Sequence, residues 1–292
     1  MNLIVITGQT ATGKTKLALE LAKKHNGELI NFDSRQIYKY LDIITGKDRE
    51  EKSKVKSQKS KVWLYDIVKP NEYFSSFDFV KLATPIIKDI EDRNKIPILV
   101  GGTYLYLKHL LYGIDDNNSP PDFKLRKKLN SKSVDYLQKM LIKLNKKVFE
   151  NLNHSDQLNP RRLIRKIEIE TGVEAFPIKT VLNKTVFIKS VPKIFIGIRY
   201  KDKTKLRKVI KGRVEERLKN GAIDEVKKLL KMGYSKNDPG LKTIGYQQII
   251  KYLNKQVTEK QAIEDWINKE VQYAKRQYTF MKKDKNIKWK DV

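Results

Sequence analysis

The chain has 292 residues, enough to bury the core of one large domain or of two domains. Its 62 lysines and arginines against 34 aspartates and glutamates give a net charge of +28, which favours a polyanionic partner, nucleic acid before a membrane surface. With no cysteine the chain cannot form disulfides or cysteine-ligated zinc sites, and its three scattered histidines have no metal-binding spacing.

The first predicted elements are a strand, a glycine-rich loop and a helix. Apolar residues 3–6 precede the loop, and residues 16–22 have the pattern of a helix. Between them stands a full match to G-x-x-x-x-G-K-[ST], formed by Gly8, Gln9, Thr10, Ala11, Thr12, Gly13, Lys14 and Thr15. This context predicts a phosphate cradle in which backbone N–H groups and Lys14 face the anion and Thr15 holds Mg²⁺. The alternative is a glycine-rich turn that binds nothing, which the flanking elements disfavour.

A second functional candidate, Asp33, follows the predicted strand at residues 28–32. In a parallel α/β sheet this strand end opens onto the same crevice as the phosphate loop, so Asp33 is a candidate metal ligand or general base. Its alternative role is to cap a helix N-terminus. The strand predicted at residues 96–100 runs into Gly101, where a P-loop enzyme that hydrolyses nucleotides normally carries an acidic residue.

Composition changes along the chain predict an insertion in the α/β core. Residues 1–113 alternate strands and helices, with a polar segment at 50–61 that we expect to be a solvated loop. A cluster of turn-forming residues at 115–121 then opens a basic helical stretch that extends to about residue 171. A strand at 193–198 and helices at 203–219, 222–231 and 259–281 return to the core, and a short strand is predicted at Trp289. We therefore predict a P-loop NTPase-like parallel sheet core, residues 1–113 and 190–292, interrupted by a helical insertion domain at 114–189.

Several sequence blocks resemble the tRNA dimethylallyltransferase family, also called tRNA isopentenyltransferases. The family patterns G-P-T-A-S-G-K-T, D-S-x-Q-x-Y, D-I-G-T-A-K and V-G-G-T-x-L-Y are similar to residues 8–15, 33–38, 42–47 and 100–106. Further similar blocks lie at 159–165, 213–217, 244–248 and 273–277. The chain departs from the family by losing one glycine and carrying Gly46 for alanine in the third pattern, and by lacking a histidine pair before Leu64. The blocks occur in the family's order over nearly the whole chain.

This resemblance implies transfer of a dimethylallyl group from dimethylallyl diphosphate to the exocyclic amine of the adenosine 3′ of the anticodon in tRNA. Asp33 would be the general base, and Lys14, Thr15 with Mg²⁺, and Arg213 would neutralise the departing diphosphate. Arg213 has the alternative of being a solvated residue on a basic helix.

The resemblance also implies a set of contacts with the tRNA anticodon stem-loop, from which the target base must be extruded. The residues expected to contact the target, line its channel or grip the stem-loop are Asp33, Ser34, Arg35, Gln36, Thr103, Arg126, Arg161, Arg162, Leu163, Ile164 and Arg165. Charge alone would make the last three arginines a solvated helix face. The tyrosines at 38, 104 and 106 are expected to serve mainly in the core, and residues 273–277 to be mostly structural.

Three other functions remain open on the sequence. A nucleotide or metabolite kinase would use the loop for ATP, an adenylate isopentenyltransferase would use a free nucleotide as acceptor, and an RNA-binding protein would have no chemistry. A kinase is disfavoured because the strand-end acid is missing, and a free-nucleotide enzyme because it should not need the basic insertion. An RNA-binding protein without chemistry is disfavoured because the intact phosphate cradle and Asp33 would then be idle. The same loop would also accept ATP phosphates as a side activity.

We expect a cytoplasmic monomer without a signal peptide, membrane association or an obligate protein partner.

Overall fold

The structure is a computed structural model and describes residues 3–47, 62–113, 122–172 and 192–292. The segment 50–61, predicted to be a solvated loop, lies outside these ranges. Contacts divide the chain into two compact units, one of Met1–Tyr112 with Phe187–Val292 and one of Gly113–Val186.

The larger unit alternates strands and helices. Its strands are β1 (Ile4–Gly8), β2 (Gly27–Asn31), β3 (Val62–Trp63), β4 (Ile96–Val100), β5 (Ile194–Arg199) and β6 (Lys288–Asp291). Its helices are α1 (Lys14–His25), α2 (Ser76–Asp92), α3 (Tyr104–Tyr112), α8 (Lys203–Lys219), α9 (Ala222–Lys231), α10 (Tyr246–Leu253) and α11 (Glu259–Met281). The smaller unit contains α4 (Phe123–Leu129), α5 (Val134–Glu150), α6 (His154–Gln157) and α7 (Pro160–Thr171).

The six strands form one parallel sheet in the order β3-β2-β4-β1-β5-β6. Val100 of β4 is paired with both Ile6 of β1 and Asn31 of β2, so these three strands end at the same edge. Loops that follow them therefore meet there, which is where open parallel sheets bind ligands. The predicted parallel α/β core is confirmed.

Alternating apolar residues cover the two faces of the sheet. Leu3 and Val5 belong to one buried cluster together with residues of α2 and α3. Ile4 and Ile6 belong to a second cluster that includes Ala18 of α1. Because successive strand side chains point to opposite faces, a continuous apolar run is required where helices pack on both sides.

A third buried cluster joins residues 37–44 to helices α8 to α11 around the fully buried Trp266. The Glu225 carboxylate fixes this segment by accepting hydrogen bonds from the backbone N–H groups of Asp42, Ile43 and Ile44, at 2.9, 2.6 and 3.2 Å. Lys47, whose side chain is fully buried, donates to the Tyr38 carbonyl oxygen and pairs with Asp42 and Asp66. The turn at 42–47 is thus rigidly held beside the sheet edge.

The smaller unit has its own core of α4, α5 and α7 residues, including Leu137 and Ile167. Helix α7 begins at Pro160, and the Asn159 side chain accepts the Arg161 N–H as its N-cap. None of the helices in the described ranges has the length and apolar character needed to cross a membrane.

We expect opposite effects from alanine at two glycines. Gly8 has φ 127°, and a Cβ there would lie 2.0 Å from the Ile198 carbonyl oxygen, so Gly8→Ala should lower Tm sharply. Gly212 lies within α8 with nothing within 4 Å of an added Cβ. Gly212→Ala should therefore stabilise the protein by about 0.5–1 kcal/mol through helix propensity. Thermal and urea unfolding of both variants would check this; equal effects would contradict it.

Candidate active site

The loop between β1 and α1 has the backbone shape of a phosphate cradle. Gly8, Ala11 and Gly13 all have positive φ, at 127°, 64° and 79°. An added Cβ at Gly13 would meet nothing within 4 Å, so the backbone is open on that side. The Gln9 carbonyl oxygen accepts hydrogen bonds from Thr12 Oγ1 at 2.8 Å and from Lys14 Nζ at 2.5 Å. These contacts close the loop around the N-terminus of α1, where N–H groups without helical partners favour an anion.

Positive side chains converge on this loop. Arg213 of α8 donates from Nη1 to Thr10 Oγ1 at 2.8 Å. Loss of hydration lowers the pKa of Lys14 to about 8, with a further lowering by Arg213 and an opposing effect of Asp33. Burial and then Arg213 lower the pKa of Arg217 to about 10. Arg213 thus contributes to the lowered pKa of two neighbouring cations, and a bound polyanion would offset the repulsion between these positive charges.

Gly46 allows the arginines to approach the turn at 42–47. It has φ 67°, and a Cβ there would lie 2.6 Å from Arg213 Nη2 and 3.0 Å from Arg217 Nη2. The glycine that departs from the resembled pattern thus gives the guanidinium groups room. Arg217 is itself paired with the buried Glu270 at 3.2 Å, which leaves Arg213 as the arginine on the loop.

Asp33 lies after β2 at the same edge of the sheet. Its Oδ1 accepts the Arg35 N–H at 2.9 Å, and its own N–H donates to Asn31 Oδ1 at 3.0 Å. Within the described residues Oδ2 accepts no hydrogen bond. No helix begins at Asp33, so Oδ1 closes a turn and does not cap a helix. The other oxygen remains available for chemistry.

The other residues predicted after β2 have local partners. Ser34 donates its N–H to Thr103 Oγ1 at 2.9 Å, and Thr103 Oγ1 donates to Ser34 Oγ at 3.1 Å. Gln36 Nε2 donates to the carbonyl oxygens of Thr45 and Gly46 at 3.2 and 2.9 Å. The structure thus brings Ser34, Thr103 and Asp33 together, whereas the Gln36 amide group holds the neighbouring turn.

Two site residues on α11 were not predicted. Gln277 accepts the Thr10 N–H and donates to the Gly102 carbonyl oxygen, so it joins two loops of the site. Burial raises the pKa of the Tyr273 hydroxyl, and Asp33 adds to this effect, while a hydrogen bond with Thr103 opposes it. The only signal in the sequence is the block at 273–277, and its place on a long amphipathic helix favours a structural role.

The basic residues predicted for the smaller unit differ in their surroundings. Glu168, which is buried, binds Arg126 at 2.5 Å and Arg165 at 3.3 Å. Arg161 and Arg162 are exposed at the N-terminus of α7, with Arg162 3.7 Å from Asp156.

Leu163 and Ile164 correct the predicted set of tRNA contacts. Their side chains are 0% and 3% exposed and pack in the core of the smaller unit. They face inward because, with Ile167, they form the apolar stripe of α7 that packs against residues of α4 and α5. Direct RNA contact through these two side chains is therefore not supported.

Comparison with known proteins identifies relatives along the whole chain. Residues 36–284 match the model of the family described as IPP transferase. The chain is 39% identical over 296 residues to a tRNA dimethylallyltransferase of Acetivibrio thermocellus, covering 99% of the chain and 91% of that relative. It is 37% identical over 294 residues to a tRNA dimethylallyltransferase of Clostridioides difficile, with 99% and 91% coverage.

Solved structures give the same result. The chain is similar to the full-length tRNA isopentenylpyrophosphate transferase of Bacillus halodurans, with a TM-score of 0.70, 32% identity, and coverage of 99% of this chain and 89% of that one. It is also similar to a eukaryotic dimethylallyltransferase acting on tRNA, with a TM-score of 0.77, 27% identity, and 100% and 74% coverage. The predicted fold class and the family resemblance are confirmed.

The lowered pKa of Lys14 predicts pH-dependent anion binding. Below about pH 8 the lysine is charged, so its contribution to diphosphate affinity should be full near pH 7 and should fall as pH rises to 9. Titration calorimetry with inorganic diphosphate would compare the protein with Lys14→Met, which removes the titrating group but keeps the pH-dependent charge of the ligand. A ratio of affinities that stays constant from pH 7 to 9 would contradict the prediction.

Proposed function

Because the chain belongs to the IPP transferase family, the family of the tRNA dimethylallyltransferases, it is a prenyltransferase acting on tRNA, and we propose how its residues perform the transfer. The donor is dimethylallyl diphosphate, and we propose that the acceptor is the exocyclic amine of the adenosine 3′ of the anticodon. The observation that carries the proposal is the meeting of a cationic phosphate loop and the Asp33 carboxylate at one sheet edge.

Donor binding is assigned to the loop at residues 8–15. Its backbone N–H groups, the N-terminus of α1 and Lys14 would hold the diphosphate, and Arg213 would cover it from α8. The prenyl chain carries no charge, so binding energy is concentrated on the diphosphate. As the carbon–oxygen bond breaks, negative charge grows on the leaving diphosphate, and Lys14 and Arg213 would stabilise that charge.

The residues present fit Mg²⁺ bound mainly by the substrate. Thr15, the second residue of α1, offers a hydroxyl, and Asp33 lies at the same edge of the sheet. Magnesium sites of this kind use one or two protein oxygens, several waters and phosphate oxygens. We propose that Thr15 holds the ion, which would neutralise part of the diphosphate charge when bound.

Asp33 is proposed as the general base. The exocyclic amine of adenosine is a weak nucleophile, so its proton must move to a base as nitrogen bonds to the prenyl carbon. Oδ1 of Asp33 is already oriented by the Arg35 N–H, which leaves Oδ2 to accept the proton. In the balanced step the nitrogen–carbon bond forms, the carbon–oxygen bond to diphosphate breaks, and the proton passes to Asp33.

Recognition of the acceptor is proposed to involve both units. In the larger unit, Ser34, Arg35 and Gln36 would contact the target and its neighbours, and Thr103 would line its channel. Arg126 of the smaller unit stays a proposed tRNA contact. In the smaller unit we retain Arg161, Arg162 and Arg165 as contacts to the anticodon stem-loop, where cations bind phosphates around splayed bases. The cytoplasm, where tRNA is modified, is the proposed location.

Asp33→Asn should lower the rate of transfer by on the order of 10²–10⁴. Asparagine keeps an oxygen that accepts the Arg35 N–H, so the turn is preserved while the base is lost. The measurement is single-turnover transfer of labelled prenyl to an anticodon stem-loop, with AMP as the acceptor in a parallel reaction.

Donor affinity, measured separately, should not fall in Asp33→Asn, because Asp33 carries no charge that attracts the diphosphate. Undiminished transfer would exclude Asp33 as the base. Label in AMP alone would assign a free-nucleotide acceptor. ATP consumption without any transfer would indicate a kinase and contradict the proposed reaction.

Removing the two exposed arginines of α7 should weaken RNA binding more than removing other exposed charges. Arg161→Gln with Arg162→Gln should reduce the slope of log affinity against log salt by roughly 1.5, because two phosphate contacts are lost. The matched control is Lys228→Gln with Lys231→Gln on α9, which removes the same charge from exposed positions. Equal effects of the two pairs would mean that only net charge matters.

A further inference from the structure

Gln277 joins the two loops on either side of the reaction site. Its Oε1 accepts the Thr10 N–H at 2.8 Å, and its Nε2 donates to the Gly102 carbonyl oxygen at 3.1 Å. One partner is a donor and the other an acceptor, so together they fix the orientation of the amide group. Gln277 is 6% exposed; its hydrogen bond to Gly102 is buried and its hydrogen bond from Thr10 is partly buried, which limits competition from water.

The fit around Gln277 is tight. A Cβ added at Gly102 would lie 2.2 Å from Gln277 Nε2, so the second residue of the Gly101–Gly102–Thr103 loop must lack a side chain for this contact to form. Helix α11 holds the phosphate loop at a second point, where Gln9 Nε2 donates to the Ala274 carbonyl oxygen at 3.3 Å. Helix α11 is therefore hydrogen-bonded to two neighbouring residues of the phosphate loop, Gln9 and Thr10.

These bonds connect the donor side of the site to the acceptor side. From Thr10 the connection passes through Gln277 to Gly102, and the next residue, Thr103, is hydrogen-bonded to Ser34 beside Asp33. Thr10 also accepts the Arg213 hydrogen bond. A shift of the amide group of Gln277 would thus move the diphosphate-binding loop relative to the residues that flank the base.

We propose that Gln277 is a positioning residue for prenyl transfer, holding the diphosphate-binding loop in register with the loop that carries Thr103. The inference rests on the proposed function, because register matters only if donor and acceptor meet at this edge. Displacement of reacting atoms by about 1 Å can cost two orders of magnitude in rate. Gln277 itself touches neither reacting atom.

Two substitutions separate this role from simple packing. Gln277→Leu removes both hydrogen bonds, and we expect kcat/KM for dimethylallyl diphosphate and the affinity for inorganic diphosphate to fall about tenfold, with KM for the RNA unchanged. Gln277→Glu keeps the acceptor for Thr10 but places a carboxylate oxygen against the Gly102 carbonyl oxygen. Only the protonated carboxyl can donate there, so activity relative to wild type should rise as pH falls from 8.5 to 6.

Gln272→Glu is the matched control, since it makes the same change at an exposed position of α11 and should leave activity unchanged. The positioning role would be overturned by wild-type kinetics in both Gln277 variants. It would equally be overturned by a loss that is the same at every pH and accompanies an equal fall in Tm, since that is the result of packing alone. If Gln277→Leu fails to fold, the pH profile of Gln277→Glu still decides.

Failure of the proposed reaction and failure of the proposed role of Gln277 would give different results. Wild-type protein that binds inorganic diphosphate but transfers no prenyl group would contradict the proposed reaction, whereas the diphosphate affinity of the Gln277 variants would still test the positioning of the loop. Transfer by wild type with undiminished activity and diphosphate affinity in both Gln277 variants would contradict only the role of Gln277.

Discussion

The parallel pairing of β1, β2 and β4 is the constraint on which the site depends. Because these strands run in one direction and end level with one another, the loops that follow them occupy one edge of the sheet. The phosphate loop, Asp33 and the Gly101–Thr103 loop come from distant parts of the chain and meet there for this reason alone. Had any of these strands been antiparallel, its loop would lie at the opposite edge.

Charge gives this edge its chemical character. Burial lowers the pKa of Lys14, Arg213 lowers it further, and Asp33 opposes these effects only in part. A bound polyanion would offset the repulsion between Lys14 and Arg213. The same charges that bind the diphosphate stabilise it as it leaves, so binding and catalysis draw on one set of residues.

Much of the supporting structure serves to hold backbone in place. The Glu225 carboxylate accepts hydrogen bonds from three successive N–H groups of the turn at 42–47. The buried Lys47 side chain pairs with Asp42 of the same turn. In the smaller unit Glu168 holds Arg126 and Arg165. The buried Lys47 and Glu168 side chains have oppositely charged partners, which is the condition under which burial of a charge is tolerated. Lys47 and Arg165, which lie in blocks similar to those of the family, and Arg126, a predicted tRNA contact, therefore also have structural roles.

The sequence by itself determined the P-loop, the parallel α/β core, the family and the bounds of helices α8, α9 and α11, because these depend on local spacing and periodicity. It also indicated Asp33 from its position after a predicted strand, and Arg213 only through the resemblance. Tertiary structure alone decided that Gln277 bridges two loops and that Leu163 and Ile164 are buried against other helices of the smaller unit. The Thr10–Gln277 hydrogen bond joins residues 267 positions apart, and no local pattern encodes such a pairing.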